Sequence, residues 1–262
     1  NDDTIYLNDS SNTVDGGAGT DTVYVGTSLT YNKEDAPISL SKSGIKSMTN
    51  VNDVITITHN NNEVDILTNI EQVYIGSTFI NTKNINNFDT HRADTIDLFI
   101  ATYGRAPGQT GLDFWTYNLT EGKVSLAGMR DEFFNNSEAN QRFDLSDSET
   151  IVTSVFSNVL NRTPAQSGID FYAQKLDNNE ITSAALVKIV LDTASGIGGD
   201  DADTLDNKTA LVNHYLVNEL TAVTTPDLSA IDNSASSLSA AINTIDIEIV
   251  ALGNSVVDFE FA

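Results

Sequence analysis

The chain has 262 residues and no cysteine, and its 37 acidic against 13 basic side chains give a formal charge of −24. That balance excludes a general nucleic-acid footprint and any attraction to anionic membranes, and the missing cysteine excludes thiolate zinc sites, cysteine nucleophiles and disulfide frameworks. No apolar run reaches the ~18–20 residues that span a bilayer, while the length suits one large or two ordinary domains.

The chain starts at Asn1 with neither Met nor a basic-then-apolar leader, the pattern of a fragment or a processed chain. The first informative stretch is Gly16-Gly17-Ala18-Gly19-Thr20-Asp21-Thr22-Val23-Tyr24, which fits the nonapeptide Gly-Gly-x-Gly-x-Asp-x-apolar-x at every specified position. Nine residues upstream, Asn12 and Val14 stand under Asp21 and Val23; a further nine upstream stand Asp3 and Ile5. Glycines let backbone carbonyls converge on an ion, the aspartate supplies charge, and the apolar residue points into the coil. Two nines make one turn, so loops eighteen residues apart stack on one side. Asp3 and Asp21, with the carbonyls of Gly17 and Gly19, are therefore the candidate ligands of one calcium ion. Asp9 and Asp15 are weaker candidates. The acidic composition supplies carboxylates for such a cation, although it serves solubility equally well.

This repeat resembles the RTX calcium-binding β-roll proteins, over residues 1–24 only. The resemblance implies type I secretion from a Gram-negative bacterium and a place outside the cell or on its surface. Leu7-Asn8-Asp9-Ser10-Ser11-Asn12 lacks every glycine of the pattern, and residues 63–73 look like the β segment that follows such repeats.

Up to residue 85 the pattern stays short and alternating. Asp21-Thr22-Val23-Tyr24-Val25, Val54-Ile55-Thr56-Ile57-Thr58 and Val73-Tyr74-Ile75 have period two, His59-Asn60-Asn61-Asn62-Glu63 is a turn, and Ala36-Pro37 breaks another strand. From Asn86 the apolar residues recur at three and four, as in Ile96, Phe99, Ile100 and Tyr103, and helices are expected. Within them Phe99, Arg105, Pro107, Gly111, Asp113, Phe114, Trp115 and Leu119 recur as Phe156, Arg162, Pro164, Gly168, Asp170, Phe171, Tyr172 and Leu176, always 57 residues on. Each unit reads as a helix, an Arg-x-Pro turn, and a helix opening near glycine with its aromatic pair on the buried side. Ser125 and Thr182 stand where an N-cap starts the next helix.

Gly104-Arg105-Ala106-Pro107 and Gly111-Leu112-Asp113-Phe114-Trp115 resemble the hallmark of a domain-of-unknown-function family of secreted and surface-layer bacterial proteins, distantly like phycobilisome linkers. The likeness covers about residues 93–215; in the second copy Asn161 replaces the glycine and Tyr172 the tryptophan. No catalytic role attaches to it. Arg105 and Arg162 are expected to tie helix ends together through their fixed fork of donors, with Asp113 and Asp170 as possible partners.

Nothing reads as an active site. His59, His91 and His214 fall in no His-Glu-x-x-His or nucleophile-elbow pattern. His91 reads as a polar surface residue at a helix start. Gly196-Ile197-Gly198-Gly199 is expected to precede an acidic loop, and Asp200-Asp201-Ala202-Asp203 lacks the glycine and terminal Glu of an EF-hand. From Thr225-Pro226 to Gly253 an a/d stripe of Ile231, Ala235, Leu238, Ile242, Ile245, Ile249 and Leu252 predicts one amphipathic helix, whose stripe is seated on the preceding helices or, as the alternative, on another subunit. Val257-Asp258-Phe259-Glu260-Phe261 alternates like a strand.

The expectation is an α+β multidomain chain. A small β-roll module (1–85) is joined by a linker (86–91) to a mainly helical domain with an internal duplication (92–222). A long C-terminal amphipathic helix (223–253) and a tail or strand (254–262) follow. The expected function is structural and non-enzymatic: a calcium-stabilised region of a surface-layer, filament or adhesin protein that self-associates or meets other surface proteins. The alternatives are an ancillary or secretion module of a larger enzyme, or a module binding a cell-surface glycan through Trp115.

Overall fold

The computed structural model describes residues 1–7, 10–25, 44–75, 78–218 and 223–256. Asp9, Ala36-Pro37 and the alternating tail 257–262 lie outside the described residues. Strands come first and helices follow, so the chain is α+β in the expected order. It divides into two compact units, Asn1–Ala93 with Gln109–Val124, and Asp94–Gly108 with Ser125–Ala262. The division falls within α1 (Phe88–Tyr103), and residues 86–91 belong to a 3-10 turn (Ile85–Asn87) and to the start of α1.

Among the described residues the first unit is built on eight strands: β1 (Thr4–Tyr6), β2 (Thr13–Asp15), β3 (Thr22–Val25), β4 (Ile45–Val51), β5 (Val54–His59), β6 (Val64–Thr68), β7 (Gln72–Ile75) and β8 (Thr78–Asn81). They form two four-stranded sheets, ordered β1-β3-β7-β8 and β2-β6-β5-β4. The chain steps from one sheet to the other and back between β1 and β3. These two strands then pair in parallel with Thr4 opposite Thr22 and Ile5 opposite Val23, the eighteen-residue register expected from the repeat. The next coil is supplied by β6 and β7, which pair in parallel with β2 and β3. Between β4 and β5, Asn52 and Asp53 have φ of 53° and 62°, the left-handed pair that a two-residue hairpin needs. Period two sends Val23, Val25, Ile55, Ile57, Leu67, Val73 and Ile80 into one buried core. Tyr6, Tyr24 and Tyr74 stack on the other face of the first sheet at 4.9 and 4.8 Å.

Helix α2 (Gln109–Thr120) belongs with these strands. Its buried Tyr117 packs on Phe88 at 5.7 Å, Gln109 Oε1 accepts from the Asn60 side chain at 3.0 Å, and Glu121 just beyond it accepts the Asn81 N–H at 2.8 Å.

The second unit holds the rest of α1 with α3 (Leu126–Phe134), α4 (Ser137–Arg142), α5 (Ser148–Leu160), α6 (Gln166–Asp177), α7 (Ser183–Ile197), α8 (Asp200–Asn218) and α9 (Ala235–Ala251). Along the chain, α1 to α3 recur as α5 to α7. Gly104 and Asn161 both take a left-handed conformation, with φ of 62° and 51°, which explains why asparagine replaces glycine there. A second such pair, Gly122 and Asn179, recurs at φ of 65° and 55°. Ser125 Oγ accepts the Gly128 N–H and Thr182 Oγ1 the Ala185 N–H, at 3.0 and 3.1 Å, so both expected caps are present.

Helix α9 starts at Ala235 rather than directly after Pro226. Asp227 caps a separate 3-10 turn (Leu228–Ala230), and Asp232 and Ser234 take the N–H groups of Ser234 and Ser237. The backbone has local acceptors there and begins the helix later. Of the stripe, Ile245 and Ile249 are buried, Leu238 and Ile242 half-buried, and Ala235 and Leu252 exposed. His214 Nε2 meets Asp246 Oδ1 at 2.8 Å, fixing α9 against α8. Among the described residues no helix is long and apolar enough to cross a membrane.

Candidate metal centre

The loop of residues 16–21 joins β2 to β3, residues 1–3 lead into β1, and residues 69–71 join β6 to β7. Parallel pairing stacks these three segments. Asp3 donates its N–H to Asp21 Oδ1 at 2.7 Å, and Thr22 donates back to the Asp3 carbonyl at 2.8 Å. On the other side Asp21 donates its N–H to Glu71 Oε2 at 2.7 Å, and its carbonyl accepts from Gln72 at 3.0 Å. Asp2 Oδ1 accepts the Thr20 N–H at 2.8 Å, and Asp15 Oδ1 accepts from Gly17 N–H and Asn69 Nδ2 at 3.0 and 2.7 Å.

Glycine is required where these layers touch. A Cβ on Gly16 would lie 2.4 Å from the Asn69 carbonyl oxygen and 2.8 Å from Asp21 Oδ2. One on Gly19 would lie 2.2 Å from the Asn1 carbonyl oxygen, at a φ of 150°. The tight packing leaves Asp21 fully buried, and its Oδ2 has no hydrogen-bond partner among the described residues. A buried carboxylate oxygen in this state carries its full desolvation penalty unless a cation or donor meets it. Residues 1–25 hold five aspartates and neither Lys nor Arg. The residues therefore fit a hard cation bound by one buried carboxylate oxygen with backbone carbonyls. Among the described residues no three acidic or imidazole side chains converge on one point, so an ion held here would need carbonyls for the rest of its shell, which calcium accepts.

Of the four candidate ligands, Asp3 and Asp21 are brought together, but through the Asp3 backbone N–H; the Asp3 side chain is exposed. Gly17 and Gly19 lie in the same loop as Asp21. Glu71 and Asn69 were not foreseen as members of this site. Glu71-Gln72-Val73 repeats the acid-x-apolar triplet of Asp21-Thr22-Val23, and that was the available signal.

The repeat arginines tie helices together, as expected. Arg105 Nε and Nη2 each donate to Glu138 at 2.7 Å, its Nη1 donates to the Ala106 carbonyl, and its Cζ lies 5.1 Å from the Phe99 ring centre. Those hydrogen bonds hold the Glu138 carboxyl below the usual carboxylate range against the opposing effect of burial. Arg162 makes the same fork on Asp201, at 2.8 and 2.6 Å. Each acceptor stands in the first turn of its helix. Asp113 and Asp170 accept from Gln109 and Gln166, one turn back, at 2.7 and 2.8 Å.

Four expectations are corrected. Phe114 and Phe171 are 58% and 53% exposed, because the buried face of each helix is taken by Leu112 and Tyr117, and by Ile169 and Ala173. Trp115 and Tyr172 are half-buried. Asp200, Asp201 and Asp203 form the first turn of α8 instead of a loop, since acids suit a helix start. The preceding glycines therefore do lead into a helix, although its acidic first turn repels phosphate. His91 is half-buried, with Nδ1 3.3 Å from Thr120 Oγ1.

Residues 130–192 match the family described as "Domain of unknown function (DUF4214)". The matched stretch lies in the helical part and contains the whole second copy of the motif, from Phe156 to Leu176. No curated protein and no solved structure matches the chain.

Proposed function

We propose that the chain is an extracellular structural region of the surface-layer, filament or adhesin type, whose N-terminal roll is ordered by calcium. The observation that carries this reading is the buried Asp21 Oδ2, without a donor among the described residues, inside a Gly-rich loop that stacks on its neighbours at the eighteen-residue register expected of an RTX-like repeat. Calcium would be held by Asp21 with carbonyls of residues 16–21, and it would relieve the mutual repulsion of a chain carrying −24 charges. The RTX resemblance implies export from a Gram-negative cell, and the likeness of the motif around Arg105 to a family of secreted and surface-layer proteins implies the same setting. Self-association is supported by the outer face of α9, where Ile247, Val250 and Leu252 are 62%, 64% and 50% exposed. Electron imaging of the purified protein with calcium and after chelation tests the reading. Ordered assemblies in calcium that disperse on chelation are expected; the same monodisperse particles in both conditions would sink it.

A second reading, glycan binding, is favoured by Phe114, whose exposed ring meets Trp115 edge-on at 5.1 Å. Retention on a polysaccharide column, lost in Phe114→Ala, is its test.

A further inference from the structure

The loop that leads into β2 repeats the backbone part of the Asp21 arrangement. Asn12 stacks over Asp65 as Asp3 stacks over Asp21. The Asn12 N–H donates to Asp65 Oδ1 at 3.0 Å, and the Asp3 N–H to Asp21 Oδ1 at 2.7 Å. Both aspartates are wholly buried, and both open an acid-x-apolar triplet, Asp21-Thr22-Val23 and Asp65-Ile66-Leu67, whose third residue enters the core. They are the same position on the two sides of the roll.

Their second oxygens differ. Asp65 Oδ2 lies 2.9 Å from His59 Nε2, with both side chains fully buried, and the Asn12 side-chain amide adds a bond to Oδ1 at 2.8 Å. Asp21 Oδ2 has no partner among the described residues. His59 is delivered to this place by its own hairpin. It ends β5, its N–H donates to the Glu63 carbonyl at 2.9 Å, and Asn62 turns back to its carbonyl in a left-handed conformation. The chain thus supplies on this side the donor that a buried carboxylate demands.

We infer that the His59 imidazole fills, beside Asp65, the place that an ion takes beside Asp21, so that one side of the roll is metal-dependent and the other is closed by the protein itself. The inference rests on the calcium reading of Asp21. It places the metal requirement in the stack of residues 1–3, 16–21 and 69–71. It also makes His59 the residue that frees the second stack from that requirement.

Amide hydrogen exchange at single-residue resolution on the whole chain, in calcium and in chelator, tests this. In the wild type the Asn12 amide is expected to be equally protected in both, while the Asp3 amide loses protection at least tenfold on chelation. In His59→Ser, Asn12 should lose protection at least tenfold in chelator and regain it in calcium, with the amides of α5 and α7 reporting that the helices remain folded. Three outcomes overturn the inference while Asp3 still responds. Asn12 is unaffected by His59→Ser in chelator; or its protection is lost and calcium does not restore it; or chelation strips Asn12 in the wild type, which decides the matter even if the variant fails to fold. An Asp3 amide indifferent to calcium contradicts the Asp21 reading instead and overturns the inference through its premise.

Discussion

Asn158 donates its side-chain amide to the carbonyl of Ala101 at 3.1 Å, and the two residues hold one position in successive copies of the repeat, 57 apart. The contact closes the end of α1, whose last carbonyls have no partner inside the helix. It also brings Asn158 Oδ1 to 2.6 Å from where a Cβ on Gly104 would sit. Lys208 Nζ in turn caps the Asn158 carbonyl at 2.6 Å, and burial lowers this lysine to about 8. The duplication is therefore asymmetric in its joints: the α1 end is closed by an asparagine and the α5 end by a lysine.

Gly104 is fixed by both conformation and contact, whereas Asn161 is fixed by conformation alone. Gly104→Ala should cost roughly 1–3 kcal/mol, from left-handed strain and displacement of Asn158. Asn161→Gly should change stability by no more than a few tenths of a kcal/mol, about the cost of chain entropy offset by relief of strain. Urea unfolding of the two variants measures both, and equal losses would show that the Asn158 contact adds nothing.

Arg105 and Arg162 look equivalent in the sequence and should not behave so. Arg105 is 30% exposed and also bonds the Ala106 carbonyl, while Arg162 is 48% exposed. Arg105→Lys is expected to cost ~1–3 kcal/mol and Arg162→Lys about 0–1 kcal/mol. The Glu138 carboxyl lies below its ordinary value, so its contribution is present above about pH 4.5 and is lost as the pH falls through the lowered folded value. Thermal melts across that acid range should show a smaller acid loss in Glu138→Gln than in the wild type.

Asp97 has the opposite sign. Burial raises its carboxyl to about 6, against the hydrogen bond from Thr209 at 3.0 Å. Between about pH 4 and 6 the folded chain keeps a proton that the unfolded chain has released, so stability falls as pH rises through that window. Asp97→Asn should melt higher than the wild type at pH 7 and at the same temperature near pH 4. A lower melting point at pH 7 would show that the ionised carboxylate is wanted.

Ile249 is fully buried and belongs to the stripe that seats α9. Ile249→Ala should cost about 2–5 kcal/mol, the range for a core truncation, while Val250→Ala on the exposed face should leave unfolding unchanged and act on self-association. Sedimentation and denaturant unfolding separate the two effects; a stability loss in both variants would place both faces in the core.

The strands and the repeat helices were legible because they are local patterns. Period two marks Val54 to Thr58, an interval of 57 ties Arg105 to Arg162, and Ser125 and Thr182 announce their caps. What stayed hidden depends on partners distant in sequence. Nothing near Asp65 says that Asn12 will bond it, and nothing near Asp21 says that Glu71 will take its N–H. Helix α2 reads as part of a helical domain because its period is helical, yet Tyr117 and Gln109 side with the strands. Its outward Phe114 was misplaced because an aromatic pair on adjacent residues cannot put both rings on one face of a helix.

The proposed role of the roll depends on a cation binding beside Asp21. Calorimetric titration of calcium into the wild type and Asp21→Asn tests it most directly, since the amide keeps the size of the carboxylate and an acceptor for the Asp3 N–H but removes the charge. A saturating heat in the wild type that vanishes in Asp21→Asn, with helical circular dichroism unchanged, is the predicted result. No binding heat in the wild type, or the same isotherm in both proteins, would contradict it.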